Sequence, residues 1–402
     1  MLRRSRFPAI LDRAVRRPGG GLLALSLLVS CVSLNDRSRD ERDAGKDASG
    51  GAAGSAGSAG TGNQNTGGSS GRDAGPDSGG NAGTAGTAGT GGVPFDGGID
   101  ADLGDASVPR ALTLSGDLTV HDPAIIATAS AFYVLSTGPG IEVRRSFNLT
   151  HWAAQGRVFA ANPAWIATRV SNVRDLWAPD IARFGGLYHL YYSASTFGSR
   201  DSCIGHAVTT NLDTPAWTDR GPVVCTENSD DYNAIDPNVV IDDAGQPWLS
   251  FGSFWSGIKL IPLDQNGFRS GTSMTSIASR LPDEEAIEAP YIMRHAGYYY
   301  LFVSFDLCCR AASSTYKIFV GRSTSVTGPY MDAEGTPLLE GGGTQVLLGD
   351  TRFRGPGHNS ILSWDGHDFL VYHAYDATRA GAQTLRIAEF VWQDEWPLSG
   401  GP

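Results

Sequence analysis

The chain lacks most of what would place it among membrane, nucleic-acid or metal-cluster proteins. Beyond residue 31 it has no uninterrupted apolar run approaching the ~20 residues that a membrane-spanning helix needs. Positive charge is in deficit, with 31 Lys+Arg against 42 Asp+Glu and a net charge of -11. That balance excludes a default nucleic-acid binder and suits an exported protein that handles neutral polymers. Cysteine is sparse, at 5 residues, and none are spaced as CxxC, which argues against a structural zinc site. No segment sustains a helical hydrophobic period. The fold class expected is therefore all-β.

The ends carry separate signals. Arg3, Arg4, Arg6, Arg13, Arg16 and Arg17 form a basic leader, and Gly19 to Ser30 is free of charge. Such a run is too short to span a bilayer and suits the apolar part of a signal peptide. It ends in Leu28-Val29-Ser30-Cys31, which resembles a bacterial lipobox, where Cys31 takes the lipid and becomes the mature N-terminus. An ordinary secretory signal with an incidental cysteine is the alternative. Val32 gives no aspartate-type inner-membrane retention signal, which points to an outer membrane. Residues 32–110 are rich in Gly, Ala, Ser and Thr and offer nothing large to bury, so they read as a disordered tether. Such a coil reaches roughly 40–50 Å. Residues 111–402 are expected to form one folded domain, a monomer held to the membrane only through the lipid or released outside the cell.

Within that domain one phrase recurs five times: HDPAII with FYVLST, WAPDIA with LYHLYYS, IDPNVV with PWLSFGS, EAPYIM with YYYLFVS, and GPGHNSIL with FLVYH. Their lead residues are Asp122, Asp180, Asp236, Glu288 and His358. A strand-rich period of about 50–70 residues is the mark of a propeller with one blade per repeat. A five-bladed β-propeller is expected, with the five leads converging on its axis. A sandwich of look-alike hairpins would not explain why acids recur at one place. Of the four cysteines after Cys31, Cys203 and Cys225 lie on neighbouring strands of one repeat and are the favoured bridge among three pairings. Adjacent Cys308 and Cys309 read as free thiols or a vicinal disulfide.

Facing carboxyls are the apparatus of glycoside hydrolysis, one protonated to serve the leaving oxygen and one ionised to activate water. Asp122, Asp236 and Glu288 supply three from three repeats, and Glu288 has the longest reach and the most acidic setting. The chain from Asp122 onward resembles family 43 of the glycoside hydrolases, and more narrowly its endo-α-1,5-L-arabinanases. The words that carry the resemblance are HDPAII, LWAPDI, YYSASTFGS, YNAIDPNV, GSFWSGI, IEAPYI, SFDLCC with STYKIFVGRS, and GPGHNS. It implies inversion at the anomeric carbon of an arabinan or related pectic polysaccharide. Position by position, it implies Asp122 as general base, Glu288 as general acid, and Asp236 as the residue that tunes and orients the acid. It also implies that Gly198, Asn233, Ala234, Ile235, Ser253, Phe254 and Trp255 line the sugar subsites. His358 then helps to hold a hydrated metal ion, calcium, with water supplying most of the ligands.

Three rivals stand beside that reading: an exo-acting α-L-arabinofuranosidase, a β-xylosidase, and a non-catalytic propeller that binds surface glycans. Asp180 reads as a structural acid at a strand end, and His121 as a residue that shapes the pocket. His206, His295 and His373 carry no signal above background. The anchor is tested by mass spectrometry of the mature protein. A diacylglyceryl-modified Cys31 at the N-terminus is expected, and Cys31→Ser should abolish the lipid and the partitioning into detergent. An unmodified, fully soluble wild-type product would remove the anchor.

Overall fold

The computed structural model describes residues 108–281 and 286–402. The leader, Cys31 and nearly all of the tether lie outside the described residues. Five antiparallel sheets follow in chain order, each built as a meander. Blade 1 contains Ala124–Ala127, Phe132–Ser136, Glu142–Ser146 and His151–Arg157; blade 2 contains Trp177–Phe184, Leu187–Ala194, Ser202–Thr209 and Thr218–Thr226. Blade 3 contains Asn238–Ile241, Pro247–Phe251, Ile258–Pro262 and Thr275–Ala278; blade 4 contains Ile287–His295, Tyr298–Phe305, Lys317–Ser323 and Thr344–Leu347. Blade 5 contains Phe353–Trp364, His367–Asp376, Ala382–Gln393 and Trp396–Ser399. The first strands of successive blades pack on one another all the way round, the last against the first. This is the expected five-bladed propeller.

The second strands show why the sequence reads as it does. A blade lies between two neighbours, so both of its faces are buried and its central strands are apolar without alternation. In YYYLFVSF, Tyr299, Leu301 and Val303 pack toward blade 3, whereas Tyr300 and Phe302 pack toward blade 5. Each of the five seams between blades holds its own apolar cluster. The hairpin turns are those expected from their glycines. Gly186, Gly245, Gly297 and Gly366 all have positive φ, which costs glycine nothing.

The ring is closed by chain from its N-terminal side. The Leu112 N–H donates to Ile387 O at 2.8 Å, and the Glu389 N–H donates to Arg110 O at 2.7 Å. Both acceptor and donor on the far side belong to the third strand of blade 5. The same segment then pairs Ser115 and Gly116 in parallel with the outer strand of blade 1. Within blade 2 Cys203 and Cys225 face each other across paired strands and are joined, the pairing favoured from the sequence.

The seams account for most of the buried apolar volume, so their large side chains should dominate stability. Phe302 is fully buried between blades 4 and 5. Phe302→Ala should cost about 3–5 kcal/mol, read as a lowered midpoint in urea with the slope unchanged. A loss under about 1 kcal/mol would mean that the seam collapses around the cavity.

Candidate active site

Each innermost strand enters the ring through one residue in the left-handed region. These are Asp122 (φ 51), Ala178 (φ 43), Asp236 (φ 58), Ala289 (φ 55) and His358 (φ 49). The first four each stand before a proline and the fifth before Asn359. The equivalence read from the sequence is therefore partly shifted. Asp122, Asp236 and His358 do occupy one structural position, but Asp180 lies two residues beyond it and Glu288 one residue before it. Proline, rather than the acid, marks the repeat. Glu288 thus stands where blade 1 has His121.

Such a backbone costs about 1–3 kcal/mol per residue and persists only where neighbours determine it. Here every kinked N–H is held by a side chain from the preceding blade. Asp122 N–H donates to His373 Nδ1 at 3.1 Å, Ala178 N–H to Thr137 Oγ1 at 2.8 Å, and Asp236 N–H to Ser193 Oγ at 3.0 Å. His358 N–H donates to Ser304 Oγ at 2.8 Å. Blade 3 has Gly252 at the matching place, paired to Ile235 by its N–H. Having no side chain, it cannot serve blade 4, and Asp236 takes over: Ala289 N–H donates to Asp236 Oδ2 at 3.1 Å. The carboxyl of Asp236 is thereby tied to the backbone beside Glu288.

Asp122, Asp236, Glu288 and His358 are all buried and lie close together around the axis. Asp122 is held on both oxygens. His358 Nδ1 is 3.1 Å from Oδ1, while Thr137 Oγ1 donates to Oδ2 at 2.6 Å and His121 Nδ1 lies 2.8 Å from Oδ2. Burial pushes its pKa up, but the imidazoles of His121 and His358 outweigh it and hold the carboxyl well below its ordinary value. His358 answers in kind: burial lowers it, and the charges of Asp122 and Asp236 raise it to about 9. Glu288 goes the other way. Burial first, then the charge of Asp236, push it to about 8, although Ser253 Oγ donates to Oε2 at 2.6 Å. Asp236 is raised to about 6, chiefly by burial, with His358 opposing. One carboxyl is kept ionised and another protonated, which is the arrangement that divides acid from base.

Asp180 performs a structural task. Its carboxylate accepts Val239 N–H at 2.8 Å and Asn238 Nδ2 at 3.4 Å, pinning blade 2 to blade 3. The expected sugar-binding residues divide into two groups. Ser253, Phe254 and Trp255 form a loop laid on the first strand of blade 4, with Phe254 N–H donating to Ile287 O at 2.8 Å. Phe254 and Trp255 are half-buried, and the Arg200 guanidinium lies 4.9 Å over the Trp255 ring. Gly198 is exposed in the neighbouring loop. Asn233 is buried, with Oδ1 lacking a hydrogen-bond partner among the described residues and Nδ2 reaching Ser199 O at 3.5 Å. Ala234 corrects the expectation. It is fully buried in the seam between blades 2 and 3 and presents no surface to a ligand. Ile235 is also buried and acts through its backbone, which Gly252 N–H meets at 2.9 Å.

Thr137, Ser193, Ser304 and His373 were missed in the sequence. The available signal was the end of each second strand, where VLST, YYS, FVS and VYH stop on a side chain able to accept an N–H. As for a metal, Nδ1 of His358 is engaged with Asp122, so only Nε2 could take a ligand. Among the described residues, the groups of three donors near enough to share an ion are His121–Cys308–Cys309 and His121–Asp122–His373, neither including His358. The residues therefore fit an ion only if it is hydrated and touches the protein at one nitrogen.

The propeller has known relatives. Residues 115–397 match the family described as Glycosyl hydrolases family 43. The chain is 44% identical over 283 residues to an extracellular endo-α-(1→5)-L-arabinanase of Bacillus subtilis (strain 168), covering 69% of this chain and 87% of that one. It is also 44% identical over 297 residues to an extracellular exo-α-(1→5)-L-arabinofuranosidase of Cellvibrio japonicus (strain Ueda107), covering 69% and 85%. A solved endo-arabinanase from Bacillus licheniformis superposes with a TM-score of 0.69 at 46% identity, over 71% of this chain and 99% of that one.

The raised pKa of Glu288 has a consequence for stability. The folded state keeps a proton that the unfolded chain releases above the ordinary glutamate value of 4.5, so stability falls as pH rises toward about 8. Glu288→Gln removes that loss. The melting temperature of the variant relative to wild type should rise between about pH 5 and about pH 8 and level off above that. A constant difference across that range would place the proton elsewhere.

Proposed function

The chain belongs to family 43 of the glycosyl hydrolases, and from that premise we propose that it cuts α-1,5-L-arabinofuranosidic bonds within arabinan chains, by single displacement with inversion. The observation that carries the mechanism is the opposed setting of two buried carboxyls: Asp122, held by His121, His358 and Thr137, is favoured ionised, and Glu288, buried near Asp236, is favoured protonated. Asp122, kept ionised, takes a proton from the water that attacks the anomeric carbon. Glu288, kept protonated at neutral pH, gives its proton to the departing glycosidic oxygen as the bond breaks. Asp236 keeps Glu288 protonated through its charge and holds the adjacent backbone through Ala289. Blades 1 and 4 are not neighbours in the ring. That favours the roughly 6.5–9.5 Å between carboxyls that leaves room for water, over the ~5–5.5 Å of a direct attack.

The remaining assignments belong to the same proposal. Asn233, Ser253, Phe254, Trp255 and Gly198 form the wall that receives arabinose rings, the half-buried aromatics supplying stacking faces. A hydrated calcium ion held through Nε2 of His358 would add positive charge beside Asp122 and Asp236; without it, the imidazolium itself supplies that charge. Export is supported by the extracellular relatives, and attachment through Cys31 by the leader alone. The exo-acting reading is supported by a relative of equal identity.

Digestion of debranched linear arabinan separates the readings. An endo enzyme should release an early ladder of oligosaccharides and lower the viscosity sharply, whereas one short product from the start means exo action. Proton NMR of the first product should show the β-anomer before mutarotation; an initial α-anomer would replace inversion with a covalent intermediate. Glu288→Ala should lose about 10²–10⁴ in turnover on arabinan and less on an aryl arabinofuranoside, whose leaving group needs less protonation. Preferential cleavage of an aryl xyloside would move the activity to xylosides.

A further inference from the structure

The Asp122 side of the site rests on a group of residues that the mechanism above leaves unused. Adjacent Cys308 and Cys309 are joined in the loop between the second and third strands of blade 4. Cys309 N–H donates to the buried Tyr375 Oη at 2.8 Å. That same oxygen lies 2.9 Å from His121 Nε2, and Cys309 Sγ lies 3.8 Å from the same nitrogen. The other nitrogen of His121 is the one at Asp122 Oδ2, 2.8 Å away. The His121 ring also stacks on His373 at 3.9 Å, and His373 holds the Asp122 N–H.

The directions of these bonds are constrained. An ionised carboxylate only accepts, so His121 carries its proton on Nδ1 where it meets Asp122. A neutral ring accepts at Nε2 from the Tyr375 hydroxyl and a charged ring donates from Nε2 to the same oxygen; in both forms Tyr375 ties the far edge of the imidazole to the Cys309 N–H. Each element thus sets the next, from a backbone N–H to a carboxylate. The disulfide closes a small ring across one peptide bond, which restricts the N–H at the head of this chain to few orientations. Without the hydroxyl of Tyr375, Nε2 loses its 2.9 Å partner and the ring is left to its stacking on His373 and the more distant Cys309 sulfur.

The geometry points to Tyr375 and the Cys308–Cys309 disulfide as a positioning device that holds His121, and through it the Asp122 carboxylate, in line for water activation. The inference rests on Asp122 being the base. It makes the double cysteine part of the working site rather than a brace of the blade. It also makes the loop of blade 4 answerable for chemistry performed by a residue of blade 1. A misplacement near 1 Å in a group of this kind can cost about 100-fold in rate.

The test uses Tyr375→Phe in the full chain, assayed on an aryl arabinofuranoside beside Asp122→Ala. Tyr375→Phe should lower kcat by about tenfold or more with KM nearly unchanged. Sodium azide attacks the anomeric carbon without needing a base and forms the glycosyl azide as Glu288 protonates the leaving group. It should therefore restore turnover in both variants. The pair Cys308→Ser with Cys309→Ser should lower kcat in the same direction, and combining it with Tyr375→Phe should add little, since the residues act in one chain. Unchanged kcat in Tyr375→Phe, a rise in KM alone, or a loss that azide does not restore would overturn the inference. So would losses that multiply when the variants are combined. Should the cysteine variants not fold, the result for Tyr375→Phe decides alone. An active Asp122→Ala would instead remove the base assignment itself, a result distinct from failure of the positioning device.

Discussion

The site depends on a backbone problem solved five times. Each innermost strand must turn at the axis end of its blade, and it does so by passing one residue through left-handed space. That residue has an N–H directed into the protein, where an unpaired donor would be costly. A side chain from the preceding blade accepts it in every case, so each blade holds the kink of the next. In four blades the acceptor is Thr137, Ser193, Ser304 or His373. In the fifth a glycine leaves the place empty, and the carboxylate of Asp236 enters it. The chemistry is built on that substitution, because it is what brings a second acid next to Glu288.

Burying four ionisable groups in one place is affordable only if their charges are shared. Isolated burial would cost several kcal/mol for each ion. Asp122 and His358 settle as an ion pair, each shifted toward its charged form by the other. Among the described residues no cation forms an ion pair with Glu288, and burial beside Asp236 favours its protonated form. Asp236 lies between, near enough to His358 to ionise and near enough to Glu288 to keep its proton in place. The roles of acid and base are thus set by where the imidazoles of His121 and His358 lie, both of them against Asp122.

Much of this was legible in the sequence, and the misreadings have identifiable causes. The propeller showed because each repeat ends its first strand and begins its second with residues that only a doubly covered sheet would bury. The acids showed because proline marks the kink and leaves little freedom for what surrounds it. Yet the same proline misled the alignment in two blades, since Asp180 and Glu288 lie on either side of the true equivalent. Ala234 shares a motif with Asn233 and reads with it as lining a subsite, whereas its own side chain belongs to the seam between blades. His373 was invisible because a histidine within FLVYH carries no local mark of its partner 251 residues away. Cys308 and Cys309 could not be resolved from spacing, because adjacency is compatible with free or joined thiols alike.

The way the ring closes has a mechanical side. Residues 110–112 are held to blade 5 by backbone hydrogen bonds along its third strand, and the next few residues run on to the outer strand of blade 1. Any pull that reaches the domain through the chain before Arg110 is therefore applied first to this seam, not to the core of a blade. The bonds at Leu112 and Glu389 lie in series with that load. A propeller held from this end carries its strain at the junction of first and last blades, and that junction also sets the distance between Asp122 and His358.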